Sequence, residues 1–132
     1  MPEGDKPSGG KPKILVIDDI ADTRELLHMY LSKEGYQVIV GATGSEGLYL
    51  ADAEKPDLII TDIGLPDMDG SELIKDLREL EGLADVPIIA VTAYGDSRIQ
   101  EAIKAGADRG TIKPTDLDAL VADVKTLFGE GQ

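Results

Sequence analysis

Four places in the chain put a polar side chain at the end of a short apolar run. Asp18 and Asp19 follow ILVI, Asp62 follows LIIT, Thr92 and Ala93 follow VPIIAV, and Lys113 closes RGTIK. A carboxylate at the end of a buried strand costs stability unless something pairs with it. Clustered carboxylates raise one another's pKa unless a cation sits among them. A hard cation such as Mg²⁺ suits oxygen ligands, keeps some of its water and needs few protein carboxylates. Beside such an ion a carboxylate can attack a phosphoryl group and form an acyl phosphate. That transfer depends on stabilising charge at the phosphoryl oxygens more than on further covalent chemistry. In this set Lys113 offers a point charge, Thr92 a hydrogen bond, and the small Ala93 leaves room.

These side chains meet only if the strands that carry them lie side by side. Residues 14–17 form a continuous apolar run rich in β-branched residues, the mark of a strand buried on both faces. Leu26, Leu27, Tyr30 and Leu31 recur at helical spacing, and Gly35 supplies a stop. A second strand is expected over 36–40, and Thr43 with Glu46 makes a capping box that opens a second helix. A third strand covers 58–61, followed by a helix with Leu73, Ile74, Leu77 and Leu80 on one face. The fourth strand is expected over 86–91, with a helix over about 97–104 that ends at Gly106. A short fifth strand over 109–113 precedes a last helix marked by Leu117, Leu120, Val121, Val124 and Phe128. Five strands, each followed by a helix, predict an α/β fold: a doubly wound parallel sheet covered on both faces. Function in such sheets sits at the carboxyl ends of the strands. All the polar residues above fall there.

Composition narrows the partners. The chain has 132 residues, 42% of them hydrophobic, which suits one domain with a single core. A formal net charge of −13 argues against direct binding of nucleic acid, whose phosphates are held by Lys and Arg. With no cysteine, disulfides, thiolate zinc sites and thiol catalysis are excluded. No apolar run approaches the length of a membrane span, and residues 1–12, rich in Pro and Gly, lack the apolar stretch of a secretory signal. The expectation is a soluble, cytoplasmic protein with a flexible tail over 1–12 and a short C-terminal tail over 129–132.

Taken together, Asp18 and Asp19, Asp62 with Leu65, Pro66, Asp69 and Gly70 behind it, Thr92 and Ala93, and Lys113 before Pro114 resemble the receiver domain of bacterial two-component response regulators. The resemblance spans 13–128. It implies a flavodoxin-like (βα)5 fold with strand order 2-1-3-4-5. It implies that Asp62 accepts a phosphoryl group from a histidine kinase or histidine phosphotransferase. Asp19, Asp62 and the backbone carbonyl of Gly64 would then bind Mg²⁺, with Asp18 acting through water. Thr92 and Lys113 would contact the phosphoryl oxygens, and a cis peptide would precede Pro114. The chain ends shortly after Phe128, so a stand-alone receiver is expected, a monomer or weak dimer that signals through protein contacts. In the family, the surface of the fourth helix, fifth strand and fifth helix commonly serves that purpose.

Three positions depart from the family pattern. Gly110 stands where an aromatic residue usually swings inward on activation, so Tyr94 or a backbone shift at Gly110 is the expected substitute. Tyr94 and Gly64 occupy positions that tune dephosphorylation, and bulky Tyr94 is expected to shield the phosphoryl group. Thr115 replaces a frequent Phe.

Other readings of these residues are weaker. Asp18 and Asp19 could cap the first helix, and Asp67 and Asp69 read as loop and helix-start residues. The run from Asp67 to Ser71 resembles the aspartate-nucleophile motif of haloacid dehalogenase-type phosphatases. Asp67, however, follows Pro66 in a loop rather than a buried strand. The glycine-rich stretch 41–47 lacks dinucleotide-binding spacing, and His28, the only histidine, sits mid-helix. The remaining alternative is a pseudo-receiver, a scaffold that binds partners independently of phosphorylation.

Overall fold

The computed structural model describes residues 11–93, 95–113 and 115–129. Strands and helices alternate as β1 (Lys13–Ile17), α1 (Ala21–Lys33), β2 (Gln37–Gly41), α2 (Gly44–Glu54), β3 (Leu58–Asp62), α3 (Gly70–Glu79), β4 (Ile88–Thr92), α4 (Asp96–Ala105), β5 (Arg109–Ile112) and α5 (Leu117–Leu127). The strands pair in parallel in the order β2-β1-β3-β4-β5, as expected from the alternation and the resemblance.

Side chains alternate across the sheet, as strand geometry requires. Leu15, Ile17, Ile59 and Ala90 face one layer, where Ala51 of α2, Leu73, Ile74 and Leu77 of α3, and Ala102 of α4 cover them. Ile14, Val16, Leu58, Ile60, Ile89 and Val91 face the other, covered by Leu27 and Leu31 of α1 and Leu120 and Val124 of α5. Every residue of β3 and β4 is buried. Each large apolar side chain buried this way contributes on the order of 1.5–3 kcal/mol. Polar chemistry is therefore confined to the strand ends.

Several boundaries move by a residue or two, each for a physical reason. The second strand begins at Gln37, one residue later than expected. Gly35 turns the chain with a φ of 97°, and Tyr36 drops into the core with its ring centroid 5.5 Å from that of Phe128. The fourth strand begins after Pro87, which has no N–H for the ladder. In α1 the apolar stripe is narrower than the sequence suggests. Leu27 and Leu31 are buried, while Leu26 and Tyr30 lie at the surface, 42% and 37% exposed. The fifth strand ends at Ile112, leaving Lys113 just beyond it.

Gly110, the position without an aromatic, turns out to be a notch. A Cβ there would lie 2.5 Å from Cγ2 of Ile99, which sits on α4. The isoleucine fills the space above the glycine, and α4 rests close on β5. Replacing a strand glycine ordinarily gains roughly 0.5–1 kcal/mol, but overpacking costs about 1–3 kcal/mol. Gly110→Ala is therefore expected to lower stability in the native background and to raise it in an Ile99→Ala background, as read by urea denaturation. The same effect in both backgrounds would mean that Ile99 does not fill the notch.

Candidate functional site

The topology gathers the strand ends at one edge. β1 lies beside β3, β3 beside β4, and β4 beside β5, so Asp18, Asp62, Thr92 and Lys113 come from four adjacent strands or the residue just beyond each. The backbone fixes their levels. The N–H of Ile63 donates to the Val91 carbonyl at 2.8 Å, and that of Lys113 to the Thr92 carbonyl at 2.7 Å. The N–H of Asp18 donates to the Gly41 carbonyl at 3.1 Å.

Lys113 is the centre of the cluster. Its Nζ lies 2.8 Å from Oδ2 of Asp62 and 3.1 Å from Oδ2 of Asp18. Both carboxylates are buried, with side-chain exposures of 7% and 4%. Asp19 is exposed, and one carboxylate oxygen from each of Asp18, Asp19 and Asp62 lies within 4.8 Å of the others. Each acid is held by local backbone as well. Oδ1 of Asp62 accepts the Gly64 N–H at 2.8 Å, and Oδ1 of Asp18 accepts the Ile20 N–H at 2.8 Å. Neither Asp18 nor Asp19 is the N-cap of α1; that residue is Ile20.

The electrostatics follow from this crowding. Burial pushes the Asp18 carboxyl above its ordinary value, and the charge of Asp62 adds to the push. The Ile20 N–H and the Lys113 ammonium pull in the opposite direction without cancelling it. Burial alone would lower the value of Lys113, but its hydrogen bonds to Asp62 and Asp18 outweigh that and hold it above the ordinary lysine value. One ammonium thus serves two buried carboxylates, with a third at the rim. The set remains rich in anionic oxygen, which is the donor chemistry a hard divalent cation takes.

The remaining expected positions lie close by. Thr92 is fully buried at the end of β4, and Ala93 after it is exposed. Gly64 reaches Asp62 through its N–H, and Gly110 lies on β5 under Ile99. Tyr94 and Pro114, with its expected cis peptide, fall outside the described residues. Thr115 lines a cavity of about 460 Å³ that opens beside Asp18, Asp62 and Lys113, walled by Ile20, Leu26 and Leu117.

Two contacts had no counterpart in the sequence reading. Arg24 donates from Nη1 to the Asp18 carbonyl at 2.7 Å, tying α1 to the end of β1. Asp67, read as a loop residue, accepts the N–H of Gly44 on Oδ1 at 2.8 Å and that of Ser45 on Oδ2 at 3.0 Å. The signal available for the second was indirect. A capping box satisfies only some of the free amides at a helix start, and the others need an acceptor from elsewhere.

The comparisons with known proteins agree with this geometry. The response regulator receiver domain family matches residues 14–125. Sporulation initiation phosphotransferase F of Bacillus subtilis is 38% identical over 114 residues, covering 86% of this chain and 90% of that protein. The DNA-binding dual master transcriptional regulator RpaA of Synechocystis is 38% identical over 89% of this chain, which spans 49% of that regulator's length. Among solved structures, the chemotaxis response regulator CheY4 of Vibrio cholerae superposes with a TM-score of 0.84 at 29% identity. That match covers 89% of this chain and 98% of the other. No helix among the described residues is long and apolar enough to cross a membrane.

Removing the one cation tests the electrostatic reading. Lys113→Met leaves Asp18 and Asp62 facing each other, and breaking such a buried pair costs about 3 kcal/mol at neutral pH. A carboxyl raised in the folded state binds its proton at higher pH than in the unfolded chain, so acid favours folding through that window. The deficit of the variant is therefore expected to shrink as the pH falls toward the upper end of the carboxylate range, measured by denaturant titration. A deficit that grows in acid would contradict this arrangement of charge.

Proposed function

Because the chain belongs to the response regulator receiver domain family of phosphorylation-dependent two-component signalling, we propose that it is a switch whose phosphoacceptor is Asp62. The donor is a histidine kinase or a histidine phosphotransferase. The observation that carries this reading is the convergence of Asp18, Asp19 and Asp62 on one point with Lys113 bridging two of them.

In this reading an oxygen of Asp62 bonds to phosphorus as the donor's phosphorus–nitrogen bond breaks. Asp62 is held for the attack by the Gly64 N–H and by Lys113. Lys113 then meets the phosphoryl oxygens, and Thr92 donates to them from the end of the neighbouring strand. The residues present suit Mg²⁺, held by Asp19, Asp62 and the Gly64 carbonyl, with Asp18 acting through water. Bound there, it neutralises charge on the transferring group. The chain would catalyse only its own phosphorylation and dephosphorylation, with Tyr94 slowing the latter.

The relative from Bacillus subtilis supports a place in a phosphorelay. The switch unit is taken as residues 13–128, acting in the cytoplasm as a monomer or weak dimer without touching nucleic acid. Its output surface is α4, β5 and α5, where Ile103 and Ile112 stand 38% and 42% exposed. The scaffold reading rests on one observation: with Ile99 seated on Gly110, no aromatic at that position reports the acceptor's state.

Intact-protein mass after incubation with Mg²⁺ and acetyl phosphate is expected to show one phosphoryl adduct on the wild type and none on Asp62→Asn. If neither that donor nor a histidine kinase labels the wild type, the scaffold reading takes its place. A second measurement concerns the ion. Mg²⁺ that binds only the folded chain stabilises it by mass action, by about 2.7 kcal/mol at a hundred times its dissociation constant. Asp19→Ala is expected to lose most of the Mg²⁺-dependent rise in melting temperature. An unchanged rise would remove Asp19 from the ligand set.

A further inference from the structure

The segment between β3 and α3 directly follows Asp62 and carries Gly64, so the placement of the acceptor depends on what holds this loop. Its base is pinched shut: the Gly70 N–H donates to the Ile63 carbonyl at 3.1 Å. The approach requires glycine, since a Cβ on Gly70 would lie 2.4 Å from the Ile63 Cα. Leu65 is buried, but Gly64, Pro66 and Asp67 are exposed, and packing alone does not fix the tip.

What fixes it is the start of α2. Three amides there precede the first intrahelical bond, which runs from the Gly47 N–H to the Thr43 carbonyl. The Thr43 hydroxyl accepts the Glu46 N–H at 3.0 Å, and Glu46 in turn accepts the Ala42 N–H at 2.7 Å. The Gly44 and Ser45 amides remain, and both donate to Asp67. Gly44 is shaped for this contact. A Cβ there would lie 2.4 Å from Cγ and 2.7 Å from Sδ of Met68, and 3.3 Å from Oδ1 of Asp67. Charge-assisted bonds to paired backbone amides are the strong kind, and the N-terminus of a helix favours a negative charge. The two amides hold the Asp67 carboxyl below its ordinary value.

We propose that Asp67 is a positioning residue for the phosphoacceptor site: by clamping the loop tip to the first turn of α2, it sets where Gly64 and Asp62 stand toward the metal and the phosphoryl group. This rests on the reading of Asp62 as phosphoacceptor. Asp67 touches neither the metal nor the substrate in this scheme; it acts through the loop.

The test compares Asp67→Ala, Asp67→Asn and Thr43→Ala with the wild type. Thr43→Ala weakens the same helix start without touching the loop. The readouts are the Mg²⁺ dissociation constant fitted to the dependence of melting temperature on Mg²⁺ concentration, and amide hydrogen exchange at Gly44 and Ser45 in metal-free protein. Removing a residue that orients metal ligands typically costs about tenfold in affinity, and that rise is expected for Asp67→Ala. Asp67→Asn, which keeps one acceptor, should fall between, and Thr43→Ala should stay near the wild type although it melts earlier. Exchange at Gly44 and Ser45 should speed up in Asp67→Ala. Equal Mg²⁺ dissociation constants for Asp67→Ala and the wild type, or an equal rise for Thr43→Ala, would overturn the proposal. A wild type that takes no phosphoryl group from any donor yet shows the expected Mg²⁺ pattern would instead fault the acceptor reading and leave the clamp standing.

Discussion

The Lys113 ammonium, held between the buried carboxylates of Asp62 and Asp18, is the interaction on which the carboxyl edge of the sheet depends. Two anions at low exposure cost several kcal/mol unless paired, and they stand on the strands that form the centre of the core. Their partner arrives from the edge strand β5, the most exposed of the five by its burial pattern. The sheet order makes this possible, since β4 alone separates β3 from β5 and its end ties directly to Lys113 through the Thr92 carbonyl. The acidic site is thus closed by the least buried strand.

This arrangement leaves one positive charge against three negative ones. The excess comes from Asp19, which is exposed at the rim and adds a third carboxylate to the buried pair. Burial already pushes Asp18 up, and Asp62 adds to the push. An excess of anionic oxygen at a strand edge suits a divalent cation, which brings the positive charge the three carboxylates call for and which an anionic phosphoryl group would need beside it. Stability and readiness for chemistry are in tension here, and Lys113 sets the compromise.

The fold was legible because both of its signals are short-range. Buried parallel strands read as continuous apolar runs rich in β-branched residues, and the helices announce themselves by caps and apolar spacing. Sheet order came from the resemblance, carried by residues at four strand ends, and the resemblance also supplied the expectation for Asp62. What stayed hidden depends on tertiary contact. Tyr36 reads as a strand residue until Phe128 is seen beside it. Leu26 looks like core until α1 is rotated so that Leu27 and Leu31 face the sheet. Gly110 reads as the loss of an aromatic, whereas in space it is the seat of Ile99, eleven residues earlier in the chain. Asp67 reads as turn chemistry because nothing in its neighbourhood names α2 as its partner.

The loop after Asp62 has two moorings of unequal strength. On one side Asp67 takes two backbone amides of α2, groups that cannot rotate away and would otherwise lack acceptors. On the other, Asp69 meets Arg98 of α4 at 3.2 Å through a half-exposed side-chain pair. Pairs of that kind contribute about 0–1 kcal/mol and weaken with salt. The residue after Arg98 is Ile99, the side chain seated on Gly110 of β5. A displacement that begins at Asp62 therefore meets a firm anchor toward α2 and a compliant one toward α4. The compliant mooring leads to the α4–β5 face, which gives this chain a physical connection between Asp62 and that surface without an aromatic side chain at position 110.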